Sequence, residues 1–414
     1  MADLLVRQAR LRDGRVVDLA VAGDRVERIS EERLDADDAT TVLDADGRLV
    51  TESAVNAHMH LDKVHSLARV GDEALGAYTG DGMGGAMTAI ELAREVKRDY
   101  DRSWIEPNVR RALREAVRHG TLHVQAFVDV DTTGGLEGLH GTLAALADFR
   151  DVLDVTVVAF PQDGVLRDPG AAELVEQALE LGADAVGGIP WIEHSDRDAQ
   201  AHVDWACALA ARTGRRVAML VDDAGDPNLR TTEMLALAML DHDLVGRGVA
   251  CHARAVGSWA RPSQLRLAGL ARRAGLTFVS DPQTGPLHLP VELFDSLDVP
   301  VALGQDDIED AYYPFGRHSM WEVAFLCAHA LGWLSGPQQQ RLLDLVTTRA
   351  ADVLRIDGHR LAEGSRADLV VHQHERVVDV LRHHDAPAWV VSRGRVVAAT
   401  TTATEFALPH EVQP

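Results

Sequence analysis

In the middle of the chain, short apolar runs rich in Val, Ala and Ile alternate with longer stretches whose apolar residues recur every three or four positions. The runs predict buried parallel strands and the stretches amphipathic helices, so this region predicts β/α units. Eight runs stand out. The first ends at His58 and His60, and the others are His123–Asp129, Val155–Gln162, Ala185–Pro190, Arg216–Asp223, Gly248–His252, Leu276–Asp281 and Val299–Asp307. Helical spacing is expected over Leu174–Leu181, Ala199–Arg212, Thr231–Leu240, Leu265–Ala274 and Met320–Leu334. Eight such units predict a (β/α)₈ TIM barrel. An open doubly wound sheet is the alternative, with little support because no Gly-x-Gly-x-x-Gly turn joins an early strand directly to a helix. Residues 66–119 form a long first insertion. Within it Gly80-Asp81-Gly82-Met83-Gly84-Gly85 is expected to be a mobile loop near the site, and no Gly-Lys-Ser/Thr follows to make it a phosphate cradle.

Both ends of the chain read as short strands. Leu4–Val6, Val16–Val21, Arg25–Ile29, Val42–Asp44 and Leu49-Val50 open it, broken by turns at Gly14, Gly23-Asp24 and Asp46-Gly47. Ala367–His372, Ala388–Ser392 and Arg395–Val397 close it. Two β-rich ends around a long middle are expected to pair into one small sheet domain. Two independent small domains are less economical.

Composition narrows the classes. The chain has 414 residues, 46% hydrophobic and 25% charged, as in ordinary globular proteins. That length suggests one large domain and a smaller one. A formal charge of −23 opposes binding to nucleic acid or to an anionic membrane, so neither is expected as a partner. Cys207, Cys251 and Cys327 lie far apart, which suits neither a disulfide framework nor a Cys-x-x-Cys metal site. The zinc nucleobase deaminases that carry Pro-Cys-x-x-Cys are thereby excluded. The first residues show no basic segment followed by an apolar core, and no apolar run is long enough to span a membrane. A cytoplasmic location is expected.

The candidate chemistry lies at the ends of the runs. His58 and His60, two apart on a strand, face one side and can chelate a metal from one rigid element. Two of 19 histidines can also fall at this spacing by chance. In a barrel of this kind the active site lies at the carboxyl ends of the strands. Here those ends carry His58, His60, Asp129, Gln162, Asp222, Asp223, His252, Asp281, Asp306 and Asp307. Asp129, Asp222 and Asp281 are equally suited to cap helices.

The chain resembles the amidohydrolase superfamily, in particular its cytosine deaminase and N-isopropylammelide amidohydrolase branch. The resemblance rests on His58-Met59-His60-Leu61-Asp62-Lys63, Phe160–Gly164, Gly182–Pro190, Gly304–Gly316 and Glu363–Val370, and it runs essentially end to end. It implies a barrel of residues 52–345 and a small β-sandwich made of 1–51 with 346–414. It further implies one divalent metal, zinc or iron, held by His58, His60 and Asp306. Asp306 would also take the proton of the attacking water, and His252 would orient that water. Gln162, Asp307, Tyr312 and Lys63 would contact a small-molecule substrate. The family often forms homo-oligomers, which nothing in this sequence decides.

Two departures bear on function. Where the family reads His-x-Asp-Glu after the fifth strand, this chain reads Leu220-Val221-Asp222-Asp223, so the third histidine ligand is replaced by Leu220. Asp223 keeps a carboxylate as proton shuttle but is one methylene shorter, and a misplacement of about 1 Å can cost roughly 10²-fold in rate. On the second strand, Gln125 and Phe127 stand where relatives carry Arg and His. Three readings follow. In the leading one, a metal-dependent hydrolase cleaves a C–N bond of a small nitrogen-containing ring or of an amide or amine attached to one, because three ligand residues and a water make a sufficient catalytic zinc set. In the second, a metal-poor or metal-free relative uses Asp306, His252 and Asp223 as acid and base for elimination, ring opening or isomerisation. The third is a non-catalytic binding relative.

Overall fold

The computed structural model describes residues 2–37, 40–70 and 82–405. The amino-terminal strands β1 (Leu4–Arg10), β2 (Val16–Ala22), β3 (Arg25–Ser30) and β4 (Thr41–Asp44) form one sheet in the order β3-β2-β1-β4. The next strand, β5 (Val50–Glu52), leaves that sheet for another described below.

The chain then enters the barrel. Strands β6 (Ala54–His60), β7 (Thr121–Asp129), β8 (Asp154–Phe160), β9 (Ala185–Gly188), β10 (Arg216–Val221), β11 (Gly248–His252), β12 (Thr277–Ser280) and β13 (Val301–Leu303) are parallel neighbours in sequence order. This is the expected (β/α)₈ fold. Every residue of β6 and β7 is buried, as strands covered on both faces require. The last strand is shorter than its apolar run, because the chain turns away after Leu303. The ring is closed by two backbone bonds at one residue: Asp306 N–H donates to His58 O at 3.0 Å, and His60 N–H donates to Asp306 O at 2.9 Å. Gly304 permits that closure. A Cβ there would stand 2.8 Å from His58 Cβ, closer than two carbons can pack.

The helices between strands follow the apolar spacing. Helix Asp196–Thr213 buries Ala199, Val203, Ala206, Cys207 and Ala210; Ser195 caps its start and Gly214, at φ 70°, ends it. Helix Arg102–Arg118, inside the long insertion, starts at Asp101, whose side chain accepts from Ser103 N–H, and buries Ile105, Val109, Leu113 and Ala116. The expectation of a mobile loop at Gly80–Gly85 is corrected. Gly82–Lys97 is helical, while Gly80 and Asp81 lie outside the described residues. Glycine disfavours helix, but packing overrides propensity here, since the carboxyl-terminal part of this helix buries Ile90, Val96 and Lys97.

After the barrel, helix Thr348–Leu354 packs against β6 and β13, and its Ala350, Ala351 and Val353 join Val55, Ala57 and Ala302 in one apolar cluster. The final strands β14 (Leu369–Val371), β15 (Trp389–Ser392) and β16 (Arg395–Ala399) form a sheet with β5, in the order β16-β15-β14-β5. Leu4, Val6, Leu19 and Val21 from the first terminal sheet share a core with Val50, Leu369, Val371 and Val391 from this one. Both ends of the chain thus contribute to one two-sheet layer. Among the described residues, no helix is long and apolar enough to cross a membrane.

Candidate active site

Three imidazoles converge on one carboxylate oxygen at the carboxyl ends of the strands. His58 Nε2 lies 3.0 Å from Asp306 Oδ1, His252 Nε2 3.8 Å and His60 Nε2 3.9 Å. All four residues are buried. His252 and Asp306 hold φ values of 67° and 71°, a left-handed backbone that residues with a Cβ adopt at a cost of about 1–3 kcal/mol and that clusters at functional sites. Asp306 is held in place by the barrel closure and by Asn56, whose Oδ1 accepts from Gln305 N–H at 3.0 Å. Phe127 meets the His58 ring edge-on, with centroids 4.6 Å apart, and so packs against the cluster without joining it. Gln125, buried alongside, donates to Ala57 O at 3.0 Å.

The histidines differ in charge. Burial holds the pKa of His58 below its ordinary value, although Asp306 opposes it. Burial, with Lys63 and the neighbouring histidines, holds His60 well below. Both are therefore neutral imidazoles with lone pairs to give. Burial also disfavours charge on His252, but Asp223, Asp281 and Asp306 outweigh it and push the pKa up to about 9. The Nδ1 of His252 sits 3.0 Å from Asp281 Oδ1, which fixes the ring and turns Nε2 toward Asp306. That Nε2 is buried without a hydrogen-bond partner among the described residues.

Ligand atoms of His58, His252 and Asp306 lie within 4.8 Å of one another, as do those of His60, Asp306 and Asp307, so Asp306 is common to two donor sets that fit a small divalent ion, and His252 gives a lone pair there only once it has shed its proton. Leu220 lines the same cavity and brings no donor.

The cavity above this cluster encloses ≈390 Å³ of empty space, its mouth included. Its lining combines the apolar Ile90, Ile189, Trp191 and Leu220 with Gln162, Asp223, Asp307 and Tyr312. Leu220 stands beside Ile189 because the β9–β10 register pairs Met219 with Gly188, one residue earlier. Burial and the nearby Asp306 and Asp310 push the Asp307 carboxyl well above its ordinary range. Burial raises Asp223 to about 6, against the pull of His252 and Arg254.

Lys63 lies one step aside. Its Nζ donates to Asp129 Oδ1 and Gln162 Oε1, each at 3.0 Å, and it lines a smaller chamber that shares Gln162 and Tyr312 with the main cavity. Asp129, raised to about 7 chiefly by burial, is therefore the partner of Lys63 and no helix cap. Asp222 is not the N-cap residue of helix Thr231–Asp241, which is Arg230, but its carboxylate reaches the first turn from outside: Oδ1 accepts from Thr231 N–H at 2.6 Å and Oδ2 from Thr232 N–H at 3.2 Å. Asp281 has a larger part than capping, because it holds His252. Sequence reasoning missed Arg254 and Trp191. Arg254 sits among Asp223, Asp281 and Asp306, and Trp191 is turned into the cavity by the short 3₁₀ turn Pro190–Ile192.

Comparison with known proteins agrees with this architecture. The sequence profile described as Amidohydrolase family matches residues 41–398. N-isopropylammelide isopropyl amidohydrolase of Pseudomonas sp. (strain ADP) is 26% identical over 377 residues, covering 89% of this chain and 90% of that protein. Pterin deaminase of Rhizobium rhizogenes is 25% identical, covering 84% and 80%. Among solved structures, 5-methylcytosine deaminase from Klebsiella pneumoniae superposes with a TM-score of 0.88 at 27% identity, covering 97% of this chain and 99% of its own.

Proposed function

The chain belongs to the amidohydrolase family, and from that premise we propose that it is a metal-dependent hydrolase cleaving an exocyclic C–N bond of a small nitrogen-containing ring. The relatives' names supply the substrate class, since they act on an ammelide, a pterin and a methylated cytosine. The observation that carries the reading is the convergence of His58, His60 and His252 on Asp306 at the floor of a cavity.

His58, His60 and Asp306 would hold the ion, and His252 beside them keeps its proton. A bound divalent ion brings the pKa of its water towards neutrality. Asp306 would accept a proton from the attacking water as its oxygen adds to the ring carbon. His252, oriented by Asp281, donates from Nε2 to the incoming oxygen. Asp223, on the cavity wall, gives a proton to the departing nitrogen, the C–N bond breaks, and the amine leaves with the bonding electron pair. Gln162 offers its carboxamide to the ring edge, and Asp307, whose neutral form burial favours, faces a ring nitrogen or oxo group. Tyr312 closes that side, and Lys63 holds Gln162 in place. A cytoplasmic enzyme free of nucleic-acid and membrane partners fits this chemistry.

Protein purified without added metal or chelator should carry close to one divalent ion per chain, and His60→Ala should lose both the ion and turnover in a screen of amino- and alkylamino-substituted azines. Unchanged turnover in His60→Ala would sink the proposal. A metal-free reading has one observation in its favour, the apolar Leu220 at a ligand position; turnover by wild-type protein that survives exhaustive chelation would select it.

A further inference from the structure

Arg254 carries its charge in an unusual place. It follows His252 by two residues, at the start of the 3₁₀ turn Arg254–Ser258. The chain reaches it through two left-handed residues, His252 at φ 67° and Ala253 at φ 47°, which fold it back towards the barrel mouth. Its guanidinium is buried among acids. Nε lies 2.7 Å from Asp223, Nη2 pairs with Asp281 Oδ2 and donates to Thr284 Oγ1 at 2.8 Å, and Nη2 is 3.6 Å from Asp306 Oδ2. It therefore touches both carboxylates that face Nδ1 of His252, comes within 3.4 Å of that nitrogen itself, and reaches the far oxygen of the carboxylate that the histidines surround. It does not line the cavity, so whatever it does passes through those groups.

Two features of the site become one. Position 220 gives no donor, so an ion here is held by fewer neutral ligands than a set with a third histidine. Without Arg254, Asp223, Asp281 and Asp306 would be three uncompensated carboxylates in one place, free to draw in a cation at the wrong point. A guanidinium prevents this, because its planar fork can hold two carboxylates at once in fixed directions.

We propose that Arg254 is a positioning residue of this site: it ties Asp223 and Asp281 in their working directions and, by its charge beside Asp306, weakens divalent-ion binding in exchange for a correctly placed ion. The proposal rests on the hydrolase reading above. Its signature is that metal affinity and turnover move in opposite directions when Arg254 is neutralised, whereas simple structural damage lowers both.

The experiment compares metal-free wild-type, Arg254→Gln and Arg254→Lys protein. Zinc affinity is read by competition with a chromophoric chelator, kcat and KM with the azine that the screen selects, and folding by thermal denaturation. Arg254→Gln should bind zinc at least tenfold more tightly while kcat falls at least 100-fold and KM stays within about threefold. Arg254→Lys keeps the charge and loses the fork, so its zinc affinity should stay within about threefold of wild type while kcat falls at least tenfold. Weaker zinc binding in Arg254→Gln, or unchanged kcat in Arg254→Lys, would overturn the proposal and leave the hydrolase reading standing. Should Arg254→Gln fail to fold, the kcat of Arg254→Lys still decides. Wild-type protein that takes up no zinc or other divalent ion would overturn both.

Discussion

Asp281 has a task distinct from that of Asp306, although both are buried carboxylates at strand ends. Arg254 and His252 hold the Asp281 pKa well below its ordinary value, against the burial that would raise it. An ionised Asp281 can only accept, so it fixes Nδ1 of His252 as the donor and aims Nε2 at Asp306. Asp281→Asn preserves shape but removes part of the negative charge that keeps His252 protonated, so kcat should fall about 10²-fold, in the range of one acid–base group, with KM little changed. Steady-state kinetics checks this, and a change confined to KM would contradict it. His58, His60 and Asp306 were legible in the sequence because strand ends of a barrel share one face. Arg254 was not. Its direction depends on positive φ at His252 and Ala253, and neither is a glycine or asparagine that would announce such a turn.

At the scale of elements, the strands were easier to read than the helices. An apolar run marks a buried strand wherever it lies, whereas helix Arg102–Arg118 hides its stripe behind many charges and contains Pro107. Helix Gly82–Lys97 begins with a glycine-rich stretch that reads as a loop, and contacts distant in sequence stabilise its other end. Lys97 there lies 2.7 Å from Asp131 and 2.9 Å from Asp163. Asp222 shows how neighbouring acids divide their work. It is wholly buried and spends its carboxylate on Thr231 and Thr232, while Asp223 faces the cavity. Asp222→Ala should therefore lower stability by about 2 kcal/mol, the upper range for losing a side chain that bonds the first turn of a helix, and leave metal content unchanged. Urea unfolding with metal analysis tests this, and lost metal at unchanged stability would move Asp222 into the site.

For the whole molecule, the clasp between the chain's two ends predicts how it responds to acid. His359 Nε2–H donates to Ser53 O at 2.8 Å, and His372 Nε2 lies 3.0 Å from Thr51 Oγ1, so both grip the segment that leads into β6 and its metal-type histidines. Burial lowers the pKa of His359 to about 4 and that of His372 to about 3, while His318, donating to Ala112 O across the barrel wall, is lowered to about 4. In the unfolded chain a histidine titrates near 6.5. Between that value and the folded ones the unfolded state binds more protons, so stability falls as pH falls. The contribution is complete above about pH 6.5 and is lost progressively towards pH 4, at about 1.4 kcal/mol per pH unit for each histidine. His372→Gln keeps a polar group beside Thr51 and the Trp321 ring, 4.9 Å away, but removes one titrating site. Its unfolding free energy should therefore fall less steeply than that of wild type between pH 6 and 4.5, by about one proton. Equal slopes would mean that His372 is protonated in the folded protein, and the clasp between the chain ends would then be held by charge instead of by burial.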